Sequence, residues 1–187
     1  MLSGKRRKAA PKFGKAVSQF MQSLGISKGQ FELAFEETVG ERGLERVEFM
    51  VTTNPNFPSG PLTQIASGGE QTRIGLSIQI VAAQNSALPC LILDEADVGV
   101  GGTTADTVGR ILRDLGSHTQ VICITHAPQV AALGDSHYRV SKDGDNTQIQ
   151  ALSDDHRIEE LARMRAGADI TDETREYARS LRSGAIH

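Results

Sequence analysis

Apolar positions repeat with two different periods along this chain. Over residues 16–25, "AVSQFMQSLG", Val17, Phe20, Met21 and Leu24 recur at helical spacing, and Gly25 is a natural stop. Residues 31–37, "FELAFEE", and 47–51, "VEFMV", alternate apolar and polar instead. They predict two strands, antiparallel to one another, joined by the polar "TVGERGLER". The stretch 53–61, "TNPNFPSGP", holds three prolines and predicts a loop. Beyond it the pattern changes. Residues 71–87 predict a helix with Ile74, Ile78, Val81 and Ala82 on one face. "PCLIL" at 89–93 and "QVICIT" at 120–125 are short continuous apolar runs, the form of strands buried on both faces. Between them, 103–116 predicts a helix capped by Thr103 or Thr104 and stopped by Gly116. Strand, helix, strand over 89–124 is a βαβ unit, so part of the sheet is parallel and the fold class is α/β. A hairpin follows, 137–142 with 147–152 across Asp143-Gly144, and then helices over 154–167 and 172–184.

Composition adds little to this picture, and charge adds one feature. The chain has 187 residues, enough for one substantial domain, and its 39% hydrophobic and 23% charged content is ordinary for a soluble globular protein. A net charge of −3 argues against a polyanion binder overall. Residues 1–15 nevertheless carry Lys5, Arg6, Arg7, Lys8, Lys12 and Lys15 and no acid. Such a run is either a solvated terminus or a contact for nucleic acid. Cys90 and Cys123 sit in apolar runs without metal-type spacing and read as buried reduced thiols. No secretory leader and no membrane-spanning run is expected, so the expected location is cytoplasmic.

Three short motifs bring in chemistry. The strand "CLIL" runs directly into Asp94 and Glu95. Ligands in α/β sheets bind beyond the carboxyl ends of strands, and an apolar strand ending in two carboxylates suits Mg²⁺ and water activation. The plainer alternative is a pair of carboxylates capping the next helix. Upstream, "ASGGE" opens the helix that carries Ile74. Ser67, Gly68 and Gly69 there present backbone N–H groups at a helix N-terminus, where an anion is favoured. Taken alone the same residues are an ordinary serine cap. Downstream, His126 ends the apolar run at 120–125, on the same sheet edge as Glu95 if the strands are parallel neighbours. A histidine there can meet a phosphate or a water. Asp94-Glu95-Ala96-Asp97 also spells the helicase word DEAD. The next strand, however, ends Ile124-Thr125-His126 rather than Ser-Ala-Thr, no phosphate loop precedes it, and Asp97 completes the word by coincidence.

In this order the three motifs resemble the second half of an ABC-type ATPase head. "VEFMVTTNPNFPSGPLTQIASGGEQTRIGLSIQIV", "LILDEADVGVGGTTADTVGRIL" and "VICITHAPQVAALGDSHYRVSK" are more particularly similar to the C-terminal region of the RecN family, DNA-repair relatives of the SMC (structural maintenance of chromosomes) proteins. The similarity spans about residues 15–182. It implies the C-terminal lobe of such a head: a mixed, mostly parallel sheet flanked by helices, with an N-terminal antiparallel hairpin. Residues 1–25 would be the end of a coiled-coil arm or helical lead-in, and 26–187 the half-head. Ser67, Gly68, Gly69 and Glu70 would form the ATP-binding signature, Asp94 would help hold Mg²⁺, Glu95 would be the general base, and His126 would sense the γ-phosphate. Residues 99–104, "GVGGTT", would be the D-loop. No G-x-x-x-x-G-K-[ST] sequence is present. The implied partners are therefore an N-terminal Walker A half, a second head in a homodimer, and DNA near double-strand-break ends, with no membrane. The implied function is ATP-dependent head dimerisation and hydrolysis in break repair and recombination, with the chain inactive alone. A non-enzymatic DNA-binding or dimerisation module is the alternative, and a helicase is disfavoured.

Overall fold

The computed structural model describes residues 2–40, 43–65, 67–86, 88–94, 97, 99–144 and 146–185. The described residues of 2–88, with 99 and 100, form one compact unit, and those of 89–97 and 101–185 form another.

The first unit opens with helix α1 (Leu2–Ser23), which begins well before the predicted start. The apolar pattern missed the first half because its buried positions are small. Ala10, Gly14, Val17 and Met21 lie on one face, and only the last two are conspicuous apolar residues. Gly14 is small for a reason: a Cβ there would stand 2.8 Å from the Phe31 carbonyl oxygen. Pro11 lies inside the helix and lacks the N–H that would bond one turn back. The first turns are tied down by side chains instead. The Ser3 hydroxyl (2.6 Å) and Arg7 Nε (3.0 Å) both donate to the buried Glu45 carboxylate. The Arg7 guanidinium also lies 5.0 Å from the Phe35 ring centroid.

Strands β1 (Gln30–Gly40) and β2 (Gly43–Thr52) form the expected antiparallel hairpin, with Phe31 opposite Val51 and Phe35 opposite Val47. The proline-rich loop does not stay irregular throughout. Gly60–Pro61 adds a two-residue strand, β3, beside Val51 and Met50, and α2 (Leu62–Ile65) follows. A proline is tolerated on such a short edge strand because it need not donate to the ladder. Helix α3 (Gly68–Gln84) then places Ile74 and Val81 in a core with Val17, Met21, Ile26, Phe31 and Val51, and Ile78 packs against it. Ala82, predicted on that face, is exposed. Leu76, Ser77, Ile80 and Ala83 are buried as well, so α3 is covered on more than one side.

The second unit starts with the predicted βαβ. Strands β4 (Cys90–Asp94) and β5 (Gln120–Ile124) are parallel, joined through α4 (Thr103–Gly116), with Leu91 beside Val121 and Asp94 beside Ile124. Neither threonine caps α4. Gly102 does, at φ 55° and ψ −126°, a conformation that suits glycine, and Thr103 and Thr104 become the first helical residues. Helix α5 (Pro128–Ala132) is a single turn that the sequence pattern did not predict. It packs against α4 at Gly109, where a Cβ would stand 2.6 Å from Leu133 Cδ1 and 3.2 Å from Val130 Cα. The hairpin β6 (Tyr138–Asp143) and β7 (Asn146–Ala151) follows, with Asp143 opposite Asn146 and Gly144 at φ 59°. Helices α6 (Asp154–Ala166) and α7 (Asp172–Ala185) close a small core of Ala132, Leu161, Ala162 and Ala178. Among the described residues the parallel pairing is that of β4 with β5, and the other ladders are antiparallel.

One expectation about burial fails. β4 and β5 are covered on one face, that of Leu91, Leu93, Val121 and Cys123. The other carries Ile92, Ile122 and Ile124 at 65%, 45% and 54% exposure. The alternation of a strand sends these three isoleucines to one side, and no described residue covers them.

Candidate functional site

The parallel register brings two of the candidate residues to one sheet edge. Asp94 is the last residue of β4, exposed, and its carboxylate has no hydrogen bond or ion pair among the described residues. Its neighbour across the ladder is Ile124, and the Thr125–His126–Ala127 turn follows directly on the end of β5. The His126 side chain is 74% exposed. Glu95, the candidate general base, lies outside the described residues, as do Ala96 and Val98. Among the described residues no group of three or more His, Cys, Asp or Glu forms a metal cage. Mg²⁺ commonly needs no such cage, being held by one or two carboxylates together with water and substrate phosphates, and Asp94 offers one free carboxylate.

The residue that organises this edge is one the sequence reading set aside. The Asp97 side chain is fully buried. Its Oδ2 accepts from the Thr125 hydroxyl (2.7 Å) and from the backbone N–H groups of Ala127 (2.8 Å) and His126 (3.2 Å). The Ala127 N–H also donates to Thr125 Oγ1 at 3.0 Å. His126 Nδ1 lies 3.4 Å from the same carboxylate oxygen. A buried charge is sustained only by such donors. The available signal was positional: an acid three residues past one strand end faces amides just past its parallel neighbour. Behind the edge, burial pushes the Cys123 thiol up to about 11, with the Asp97 and Asp94 carboxylates adding to the effect. Cys90 and Cys123 are both free thiols, half-buried.

The other candidate group lies in the first unit. Ser67 is the N-cap of α3, and Gly68, Gly69 and Glu70 form its first turn. The Glu70 carboxylate accepts from the Ser67 N–H (3.1 Å) and the Ser67 hydroxyl (2.9 Å). These bonds, the Ser67 N–H first, hold Glu70 below the usual carboxylate value, helped by Thr53 and Arg73. The first N–H groups of a helix have no partner within it, so the Gly68-Gly69 turn keeps donors available. Gly99 packs on this turn. At φ 74°, a Cβ on it would stand 2.7 Å from Gly69 Cα.

Comparison with known proteins gives the class first. The fold is that of an SMC-type head: the Smc head domain of Pyrococcus yayanosii, with its coiled coil and joint, aligns at TM-score 0.67 and 18% identity, over 82% of this chain and 29% of that one. A structure from work on ATP-driven dimerisation and DNA-stimulated activation of SMC ATPases aligns at TM-score 0.66 and 17% identity, over 89% of this chain and 99% of that one. No protein-family model matches the sequence. In sequence the chain is similar to proteins named DNA repair protein RecN. The Vibrio cholerae RecN is 41% identical over 183 residues, 94% of this chain and 33% of the relative. That of Xylella fastidiosa strain 9a5c is 42% identical over 188 residues, 96% and 34%. Bacillus subtilis RecN is 31% identical over 197 residues, 94% and 34%. The chain thus spans about one third of the length of these relatives.

Proposed function

We propose that this chain is the C-terminal half of an ATPase head that dimerises on ATP and hydrolyses it in DNA double-strand-break repair. The observation that carries the reading is the uncovered apolar face of β4 and β5. Ile92, Ile122 and Ile124 face solvent beside Asp94 and the His126 turn. Exposed apolar area of this kind favours association, and an N-terminal lobe bearing the Walker A loop is the partner we assign to it. In the assembled head, Ser67, Gly68 and Gly69 would contact the γ-phosphate of ATP held by the opposite head. Asp94 would hold Mg²⁺, Glu95 would accept a proton from the attacking water, and His126 would meet the water or the γ-phosphate. Mg²⁺, when bound, neutralises phosphate charge. Residues of α1 would continue into a coiled-coil arm, with residues 26–187 forming the half-head.

The test is reconstitution. The chain alone should turn over no ATP, and adding a separately produced Walker A half should restore turnover. Glu95→Gln in the assembled head should trap an ATP-bound dimer. Ile122→Asp should leave the chain folded and prevent assembly. Robust hydrolysis by the isolated chain would overturn the reading. The basic α1 favours a second one, binding of DNA without nucleotide, since Lys5, Lys8, Lys12 and Lys15 are all exposed. Glutamine at these four positions should then abolish salt-sensitive DNA binding, and unchanged affinity would remove that reading.

A further inference from the structure

We propose that Asp97 is a positioning residue for His126, fixing both the turn that carries it and the proton on its ring. The inference rests on the reading of His126 as the group that meets ATP or water, and adds which ring nitrogen does so.

The clamp on the turn is direct. Asp97 Oδ2 takes the Thr125 hydroxyl and two successive backbone N–H groups, those of His126 and Ala127. With the carboxylate buried and these donors aimed at it, the backbone on both sides of the His126 Cα is held. The ring itself is left out in solvent, tethered at one end only.

That end is Nδ1, at 3.4 Å from Oδ2. A neutral imidazole has one N–H and one lone pair, and the partner of one nitrogen decides the state of the other. A carboxylate cannot donate, so it selects the tautomer with the proton on Nδ1. The approach is a charge contact and not a full hydrogen bond, since Oδ2 already takes three shorter donors. A bare Nδ1 lone pair facing that carboxylate oxygen would be repelled, whereas an Nδ1–H is attracted. The lone pair then stands on Nε2, at the exposed end of the ring. In its neutral form His126 is an acceptor there, suited to a water O–H rather than to a phosphate oxygen, which offers no proton. The fourth letter of DEAD therefore sets the chemistry of a histidine in the turn after the next strand.

The test reads the ring directly. Nitrogen-15 NMR of the isolated chain, at a pH where His126 is neutral, should show the proton on Nδ1 in the wild type. Asp97→Asn keeps an accepting oxygen for the backbone donors and removes the charge. It should shift the ring toward the Nε2–H tautomer, while Thr125→Val, which leaves the carboxylate, should not. In the assembled head, Asp97→Asn should lower kcat by about tenfold or more with little change in KM for ATP. A wild-type ring protonated on Nε2, or a tautomer unmoved in Asp97→Asn, overturns the proposal. If that variant does not fold, the wild-type spectrum alone decides. Unchanged turnover in His126→Ala would instead sink the reading of His126 itself, whatever the tautomer.

Discussion

Replacing Gly99 by alanine puts a methyl carbon 2.7 Å from Gly69 Cα, on a residue whose φ is 74°. Two costs follow. An L-residue in left-handed backbone conformation loses about 1–2 kcal/mol. The overlap must also be relieved, and forcing an extra carbon into a packed site costs typically about 1–3 kcal/mol. The relief is hard here because the atom met is backbone, at the first turn of α3, and not the end of a flexible side chain. Gly99→Ala should therefore destabilise the unit by about 2–5 kcal/mol. The reciprocal change is the control. A Cβ on Gly69 would meet Gly99 Cα at 3.5 Å, an ordinary contact, and alanine suits a helix better than glycine. Gly69→Ala should stay within about 0.5 kcal/mol of wild type. Gly99→Asn separates the two costs, since asparagine tolerates the left-handed region but still carries the carbon. It should fall between. With no tryptophan in the chain, urea unfolding followed by far-ultraviolet circular dichroism is the assay. Equal stability of the two alanine variants, or a harmless Gly99→Ala, would refute the close packing of the two glycines.

Three further outcomes are expected. Glu70 has its folded value depressed by Ser67, so its contribution is present above the unfolded value near 4.5 and is lost as pH falls through the lower folded one. Glu70→Gln should remove that part of the acid dependence, and an unchanged unfolding profile below pH 5 would contradict it. Cys123, raised from 9.0 to about 11, should alkylate about 100-fold more slowly than an ordinary thiol at neutral pH, because only the thiolate reacts. Mass spectrometry of a timed iodoacetamide reaction on a Cys90→Ala chain measures it, and an ordinary rate would refute the burial effect. Arg157, buried in α6, donates to the Gly134 and Asp135 carbonyls. Arg157→Met leaves both acceptors unpaired and should cost about 2–4 kcal/mol by urea unfolding, and a loss under about 0.5 kcal/mol would show the bonds to be dispensable.

The elements most legible in the sequence are those whose period is carried by large side chains. Val17 and Met21 gave the second half of α1, and the alternation in 31–37 and 47–51 gave the hairpin. The first half of α1 was hidden because its buried positions are Ala10 and Gly14, which carry little hydrophobic signal, Gly14 being kept small by close approach to β1. The cap of α4 was misassigned for a related reason: a threonine beside a glycine looks like a cap, and only backbone conformation shows that Gly102 takes the role. The buried strands were half right. An apolar run reports that a strand is meant to be covered on both faces, but not by which chain. The exposed isoleucines of β4 and β5 are where the apolar run and the described structure part company.

The site divides along the same line. Motif spacing picked out Ser67 to Glu70, Asp94 and His126 as candidates; the first group stands at a helix start, and the parallel register sets Asp94 and the His126 turn at one sheet edge. It could not find Asp97, because what matters there is the neighbour across the ladder. Asp94 pairs with Ile124, so three residues past one and one to three residues past the other come to the same place. A buried carboxylate at that point would be costly without donors, and the turn after β5 provides three. The two carboxylates of "DEAD" that the structure describes therefore have opposite surroundings: Asp94 open to solvent and unpaired, Asp97 enclosed and bonded. Substituting either one removes the same charge, but only Asp97 also releases a turn. Asp94→Asn should consequently leave hydrogen exchange at the Ala127 amide unchanged, whereas Asp97→Ala should accelerate it. Equal protection in the two variants would mean that the turn holds itself, and that the buried acid has another purpose.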